Sequence, residues 1–341
     1  MSEYQKKSSH GISTAITIVV IIFAIGFWYF ALYGPLPDDQ YNPATSSGKF
    51  ELIQTDYENI TKISLDIQAD VGDFDVGLLN NDSENLISAD WALEYRVGDS
   101  AVEDLEITFS NTTVNETIII TLVVDYPDEE IILIDDWDFT IYINPNYELY
   151  SIIGDIKAGE LDVDLANIEM ETFIIESSAG SIDINLNTVN ISSGAYFQTD
   201  AGEITVSLNE VSIDGDLSVT TDAGAIDLNI ENIKFQNEST IILDSDAGAI
   251  RVNWDQTIAL GADIVLDAST DVGEIDIEIQ SNLLKYLVGL ETDIGDTQFN
   301  HEDWGTTNGY YQSPGFESSL LDLLQIDAET NVGSVEIDIT L

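Results

Sequence analysis

Five aspartates, Asp200, Asp222, Asp246, Asp271 and Asp293, each stand two residues before a glycine, and Asn331, closing the series, holds the same place before Gly333. Carboxylates that recur with one period are stacked wherever the chain coils with that period. A stack of like charges invites a bridging divalent cation. Calcium is therefore the one cofactor the pattern admits, with these five residues as its ligands. Calcium-binding rolls, however, repeat a Gly-Asp nonapeptide, far shorter than the interval here. The plainer reading is that each Asp accepts hydrogen bonds from turn amides and otherwise faces water.

A second group with chemical character lies in residues 298–325, "QFNHEDWGTTNGYYQSPGFESSLLDLLQ". It gathers Trp304, Tyr310, Tyr311 and Phe316 among Gly, Asn and Ser. Exposed, such rings suit contact with glycans or proteins; buried, they would form a lid on whatever precedes them. Catalysis has less material. Carboxylates for acid–base work on a glycosidic bond are plentiful. Yet beyond residue 33 the basic residues Lys49, Lys62, Arg96, Lys157, Lys234, Arg251 and Lys285 are scattered, and only His10 and His301 are present. There is no cysteine, which excludes disulfides, thiolate metal sites and a Cys nucleophile. Six Asn-x-Ser/Thr sequons, at Asn59, Asn81, Asn111, Asn115, Asn190 and Asn237, are glycosylation candidates on an extracellular chain.

The 341 residues include 64 acids against nine Lys and Arg, for a net charge of −55. Phosphate backbones need basic clusters, so nucleic acid is excluded as a partner. A carboxylate coat of this density also suits salty surroundings, where screening shortens the reach of repulsion. Apolar residues make up 44% of the chain, which is ample for a core.

The elements that must position these residues are legible in a repeat. "TDAGEITVSL", "TDAGAIDLNI", "SDAGAIRVNW", "TDVGEIDIEI" and "TNVGSVEIDI" share one rhythm, with Gly202, Gly224, Gly248, Gly273 and Gly333 aligned. Gly180 and Gly159 head earlier copies, Gly295 a degenerate one, and Gly72 in "ADVGDFDVGL" an isolated forerunner. Between Gly159 and Gly295 the glycines are 21 to 25 residues apart, a spacing that marks a solenoid. Parity explains the glycine. Leu217, Val219, Thr221 and Ala223 share one face, and Ile226, Leu228 and Ile230 another, with the phase slipping at Gly224. A slip of one would expose the second set unless the strand bends there, and glycine tolerates the bend. Each copy thus encodes strand, corner and strand, stacked in parallel. An inward hydroxyl ladder of Ser177, Thr199, Thr221, Ser245, Thr270, Thr292 and Thr330 should run beside the outward acidic one.

Residues 50–150 are β-rich without repeating cleanly and read as an irregular N-terminal cap, since a parallel stack needs its end covered. At the other end the chain stops after "SVEIDITL", so that run is expected to be the open edge, covered by the insert or by a neighbour, or else guarded by Glu336 and Asp338. Residues 13–33, "STAITIVVIIFAIGFWYFALY", carry no charge and are long enough to span a bilayer. Their aromatic far end resembles an interface belt rather than a cleavage site. Lys6 and Lys7 place residues 1–12 in the cytosol and the acidic remainder outside. Residues 34–49, rich in Pro, Gly and Ser, read as a flexible stalk.

The rhythm TDAGxIxLxI, following an irregular β region and an N-terminal span, resembles the putative-adhesin (toastrack, single-stranded β-helical) domains of bacterial and archaeal surface proteins. The resemblance covers about residue 50 to the C-terminus. It implies an extracytoplasmic, non-enzymatic domain, with no catalytic motif to carry over.

The expectation is thus an all-β, right-handed parallel β-solenoid (the usual hand of parallel crossovers) with coils of about 22 residues over 151–341, an irregular β cap over 50–150, and one transmembrane helix before them. Its expected role is structural or adhesive binding at the cell surface, without catalysis. Surface glycans or other envelope proteins are its expected partners, besides the membrane itself. An envelope-sensing accessory role through a membrane partner is the first alternative, and a β-helix carbohydrate-active enzyme the second.

Overall fold

The computed structural model describes residues 42–57, 59–97, 106–125, 133–300, 304–314, 316 and 321–341. The expected membrane segment 13–33 lies outside them. Among the described residues no helix is long and apolar enough to cross a membrane, and the only helical element is a single 3-10 turn at Gln54–Asp56. The rest is β-structure, joined in one continuous solenoid-like sheet of 25 strands.

The N-terminal strands are β1 (Asn42–Ile53), β2 (Lys62–Ala69), β3 (Asp73–Leu78), β4 (Asn85–Val97), β5 (Glu106–Val114), β6 (Thr117–Asp125) and β7 (Leu133–Ile143). Then come β8 (Glu148–Ala158), β9 (Leu161–Ala166), β10 (Glu169–Ala179), β11 (Ile182–Asn187) and β12 (Asn190–Ile191). The regular coils continue with β13 (Ala195–Ala201), β14 (Ile204–Asn209), β15 (Ser212–Ile213), β16 (Leu217–Ala223), β17 (Ile226–Glu231) and β18 (Lys234–Phe235). The last strands are β19 (Ser239–Ala247), β20 (Ile250–Asp255), β21 (Ile264–Gln280), β22 (Leu284–Phe299), β23 (Gly305–Thr307), β24 (Tyr310–Gln312) and β25 (Asp322–Thr340).

One coil shows how the sequence makes the shape. In β13, Phe197 and Thr199 point inward and are buried; after Gly202, Ile204, Val206 and Leu208 of β14 are buried too, as the parity required. A second corner follows at Glu210, with φ of 53°, and the short β15 buries Ile213 before the next coil begins. Each strand pairs in parallel with its counterpart one coil on: Phe197 with Val219, Val206 with Leu228, Ile213 with Phe235. The core is therefore a column of Ile, Leu, Val and Phe enclosed by three faces of this continuous structure, each a sheet in its own right: a first carrying β13, a second carrying β14 and a short third carrying β15.

The reason for glycine at the first corner differs in part from the expected one. Its φ is strongly positive at some copies, such as Gly180 at 141°. What all copies from Gly159 to Gly333 share is close approach. A β-carbon on Gly202 would lie 1.8 Å from the carbonyl oxygen of Gly180, and one on Gly248 would lie 1.6 Å from that of Gly224. The corners stack so tightly that no side chain fits between them. The inward hydroxyls complete the packing: Thr221 Oγ1 donates to the Gly202 carbonyl at 3.4 Å and Ser245 Oγ to that of Gly224 at 3.2 Å.

Coil order departs from chain order at both ends. The sheet carrying β13 runs β5-β6-β2-β8-β10-β13-β16-β19-β21-β25-β22-β24-β23. Near the start, β2 lies between β6 and β8, both later in the chain, and β3 likewise lies between β7 and β9. Near the finish, β25 is inserted between β21 and β22. The expectation that "SVEIDITL" forms the open edge is thus corrected. Both edges of β25 are paired, and the last coil in space is β22. "SLLDLLQI" is strand from Asp322 onward.

Rings gather at both ends of the column. Phe50, Trp91 and Phe109 stack at the first, with centroids 4.6 Å (Phe50–Phe109) and 5.3 Å (Trp91–Phe109) apart. Tyr286, Phe299, Trp304 and Tyr311 pack together at the other.

Candidate functional site

The acidic ladder forms, in a different order from the one expected. Thr199, Thr221, Ser245, Thr270, Thr330 and Thr292 are successive partners across the sheet. The residues that follow them stack as Asp200, Asp222, Asp246, Asp271, Asn331 and Asp293. Asn331 therefore interrupts the ladder instead of closing it, and donates from Nδ2 to Asp271 Oδ1 at 2.5 Å. The five aspartates are exposed. Burial, and then the charges of Asp222, Asp271 and Asp244, hold the Asp246 carboxyl above its usual range. Among the described residues no three acidic or His side chains are grouped as a metal ion would need.

A tighter carboxylate group lies elsewhere. Asp75, Asp162 and Asp183 are register partners on the outward face of the second sheet, with Asp73 and Glu160 beside them. Asp73 Oδ1 accepts from the Glu160 amide at 3.0 Å. Asp162 Oδ1 is buried without a partner. Burial, followed by repulsion from Glu160, Asp183, Asp75 and Asp73, pushes its pKa up to about 6. Sequence reasoning missed this group because it assigned residues 73–78 to an irregular region. The signal was there: Asp75, Asp162 and Asp183 each follow an aligned glycine by three. Further along the same ladder Arg251 Nη1 lies 3.3 Å from Asp227 Oδ1.

A shallow groove of about 750 Å³ follows the outer face of that sheet over five coils. Ser207, Asn229, Asn253, Glu278 and Asp338 form one wall in register, with Asn253 Nδ2 donating to Asn229 Oδ1 at 3.1 Å. Asn300 closes one end, hydrogen-bonded to Glu336 and Asp338. Among the described residues lining it, the one aromatic is Trp254, which is buried and donates to Gln256 Oε1 at 2.9 Å. The groove offers amides and carboxylates and no exposed ring.

The described part of the aromatic insert packs over the last coil as a lid. Strands β23 and β24 form a hairpin whose Tyr311 pairs with Val288 of β22. Trp304 is buried, 5.0 Å from Phe299 and 5.7 Å from Tyr286 between ring centroids. Tyr310 is half-buried, its hydroxyl hydrogen-bonded to Asp327, which raises its pKa. It lies across Gly289, where a β-carbon would meet the ring at 2.8 Å. Phe316 is also half-buried. With Asp267, Glu291 and Glu329, Tyr310 lines a pocket of about 350 Å³. His301 lies outside the described residues.

Of the six sequons, Asn59, Asn81, Asn111 and Asn115 are all exposed near the β1 and β5 end of the stack, and Asn237 is exposed on a turn. Asn190 is half-buried, with Oδ1 enclosed and unpartnered.

No family model matches the sequence, and no curated protein matches it. Several solved structures align with this chain along most of its length. A "putative cell adhesion protein" from Clostridium sporogenes is 10% identical, over 87% of this chain and 100% of its own, with a TM-score of 0.32. A "putative adhesin" from Bacteroides fragilis is 11% identical, over 86% and 97%, with a TM-score of 0.35. Another, from Parabacteroides merdae, is 14% identical, over 86% and 95%, with a TM-score of 0.31.

Proposed function

We propose that this chain is a membrane-anchored surface protein with a structural or adhesive role and no catalytic one. In this reading residues 13–33 hold it in the membrane with residues 1–12 in the cytosol. Residues 34–49 are the stalk up to the body, although β1 already takes up those from Asn42 onward. The body stands outside as a right-handed solenoid, capped by the strands before residue 150 and carrying glycans on its exposed sequons. One observation carries the reading: β1 and β22 lie at opposite ends of the stack. The chain thus enters at one end of a rod and presents the other far from its point of entry. Ladders of polar side chains along the sides, including the amide-lined groove, suit hydroxyl-rich surface glycans or envelope proteins. The rod form itself needs no ligand to serve as a spacer.

The test uses the full chain reconstituted into liposomes of two colours in molar salt. Two-colour clusters that disappear on proteolytic removal of the body are the expected result. Liposomes that stay separate would overturn the adhesive reading and leave only the spacer, and hydrolysis of a polysaccharide by the purified chain would overturn both.

A further inference from the structure

We infer that the far end of the rod is a self-association surface, and that its partner is a second copy of this chain, joined antiparallel through the edge of β22. This rests on the adhesive reading and names the partner for it.

Three observations meet at that end. First, the hairpin covers β22 only at Leu287 and Val288. Among the described residues, 290–298 have no strand on their outer side, and 293–298 are exposed. Second, the residue before the corner glycine is alanine at Ala158, Ala179, Ala201, Ala223 and Ala247, then becomes β-branched in the last three coils. Val272, Val332 and Ile294 stack in register. Val272 is 37% exposed and Ile294 is 62% exposed, the highest value of any large apolar side chain described. Third, the acidic ladder is broken beside this strip by Asn331, and Ser334 stands between Glu274 and Asp296. An apolar strip that reaches an unpaired strand edge is the reverse of how proteins normally guard edges, even though Glu291, Asp293 and Asp296 lie along the same edge.

The register explains why the partner is a second copy. With Ile294 opposite itself across a two-fold axis, Asp293 faces Gly295, Glu291 faces Thr297, and Thr292 faces Asp296. No acid meets an acid directly, so the edge tolerates itself despite a net charge of −55. An isologous contact of this kind is the commonest route to a symmetric pair. It covers less than the ~1,200–2,000 Å² of a stable complex. Single pairs are therefore weak, and many of them between facing membranes hold through numbers.

The chain contains no cysteine, which makes a clean test. Ile294→Cys and, as control, Ile242→Cys (37% exposed, mid-rod) are made in the full chain and oxidised in molar sodium chloride. Disulfide formation needs Cβ atoms within about 4.5 Å, so only residue 294 should cross-link, at least ten-fold faster than the control. Ile294→Lys should abolish liposome clustering without lowering the thermal midpoint. Equal cross-linking at the two positions would overturn the inference. Clustering that survives Ile294→Lys would sink it while leaving the adhesive reading intact. Absence of clustering by the unmodified chain would sink the adhesive reading itself.

Discussion

At the scale of single residues, the corner glycines and the outward carboxylates do opposite things to stability. Gly202 sits where a neighbouring carbonyl fills the place of a β-carbon, so relief requires prising coils apart. Gly202→Ala should cost more than about 3 kcal/mol, in the range reserved for overpacking and strain, and denaturant melts of the variant would measure it. Glu210, by contrast, holds a left-handed conformation with φ of 53°, which disfavours residues other than glycine by ~1–2 kcal/mol. Glu210→Gly should therefore be neutral or stabilising. Among the described carboxylates, Asp162 is the one whose charge the fold opposes most. Its folded pKa of about 6 exceeds the ordinary aspartate value of 3.8, so the native state binds the extra proton and stability falls as pH rises through that window. Asp162→Asn should raise stability above pH 6, by about 1 kcal/mol after allowing for solvent screening. The gain should vanish near pH 4, and an undiminished gain there would refute the electrostatic cause. Of these features the corner was legible in the sequence, because parity alone exposes the slip at Gly224. The close approach of stacked carbonyls was not, since it depends on the neighbouring coil.

At the scale of elements, the strand–corner–strand unit and its parallel stacking were readable from repeated residues, but the order of the coils was not. "TDVGEIDIEI" and "TNVGSVEIDI" have the same pattern of inward and outward positions, so either could follow the other. Only the folded chain reveals that β25 enters between β21 and β22. The same ambiguity misplaced Asn331 at the end of the acidic ladder and hid the partnership of Asp75 with Asp162. The inserted strand has a consequence for truncation. A terminal edge coil could be removed with little harm to the rest of a solenoid, whereas deleting residues 322–341 opens a gap in the middle of a sheet. Such a deletion should expose β22 and the hairpin to protease and lower the midpoint by more than loss of an edge strand. If residues 284–312 stay protected in the truncated chain, the insertion is not what holds them. The lid has its own test: Trp304→Ala should cost roughly 3 kcal/mol as a large-to-small change in a buried ring cluster.

At the scale of the molecule, charge and shape set the behaviour. With a net charge of −55, self-repulsion opposes the folded state, and a Debye length of about 3 Å in molar salt removes most of it. The thermal midpoint should climb with sodium chloride. Millimolar calcium at matched ionic strength should add nothing, because the ladder aspartates stand exposed along the sheet instead of converging. A further rise with calcium would assign them a metal after all. Shape gives the most direct test of the central claim, that the rod enters at one end and joins at the other. Thirteen strands stack in the longer sheet, roughly 60 Å at ~4.8 Å per strand. Electron tomography of liposomes clustered by the full chain measures the gap between facing membranes. Tip-to-tip joining predicts about 120 Å plus two stalks, whereas a gap near 60 Å would mean that the rods lie side by side and would contradict the account.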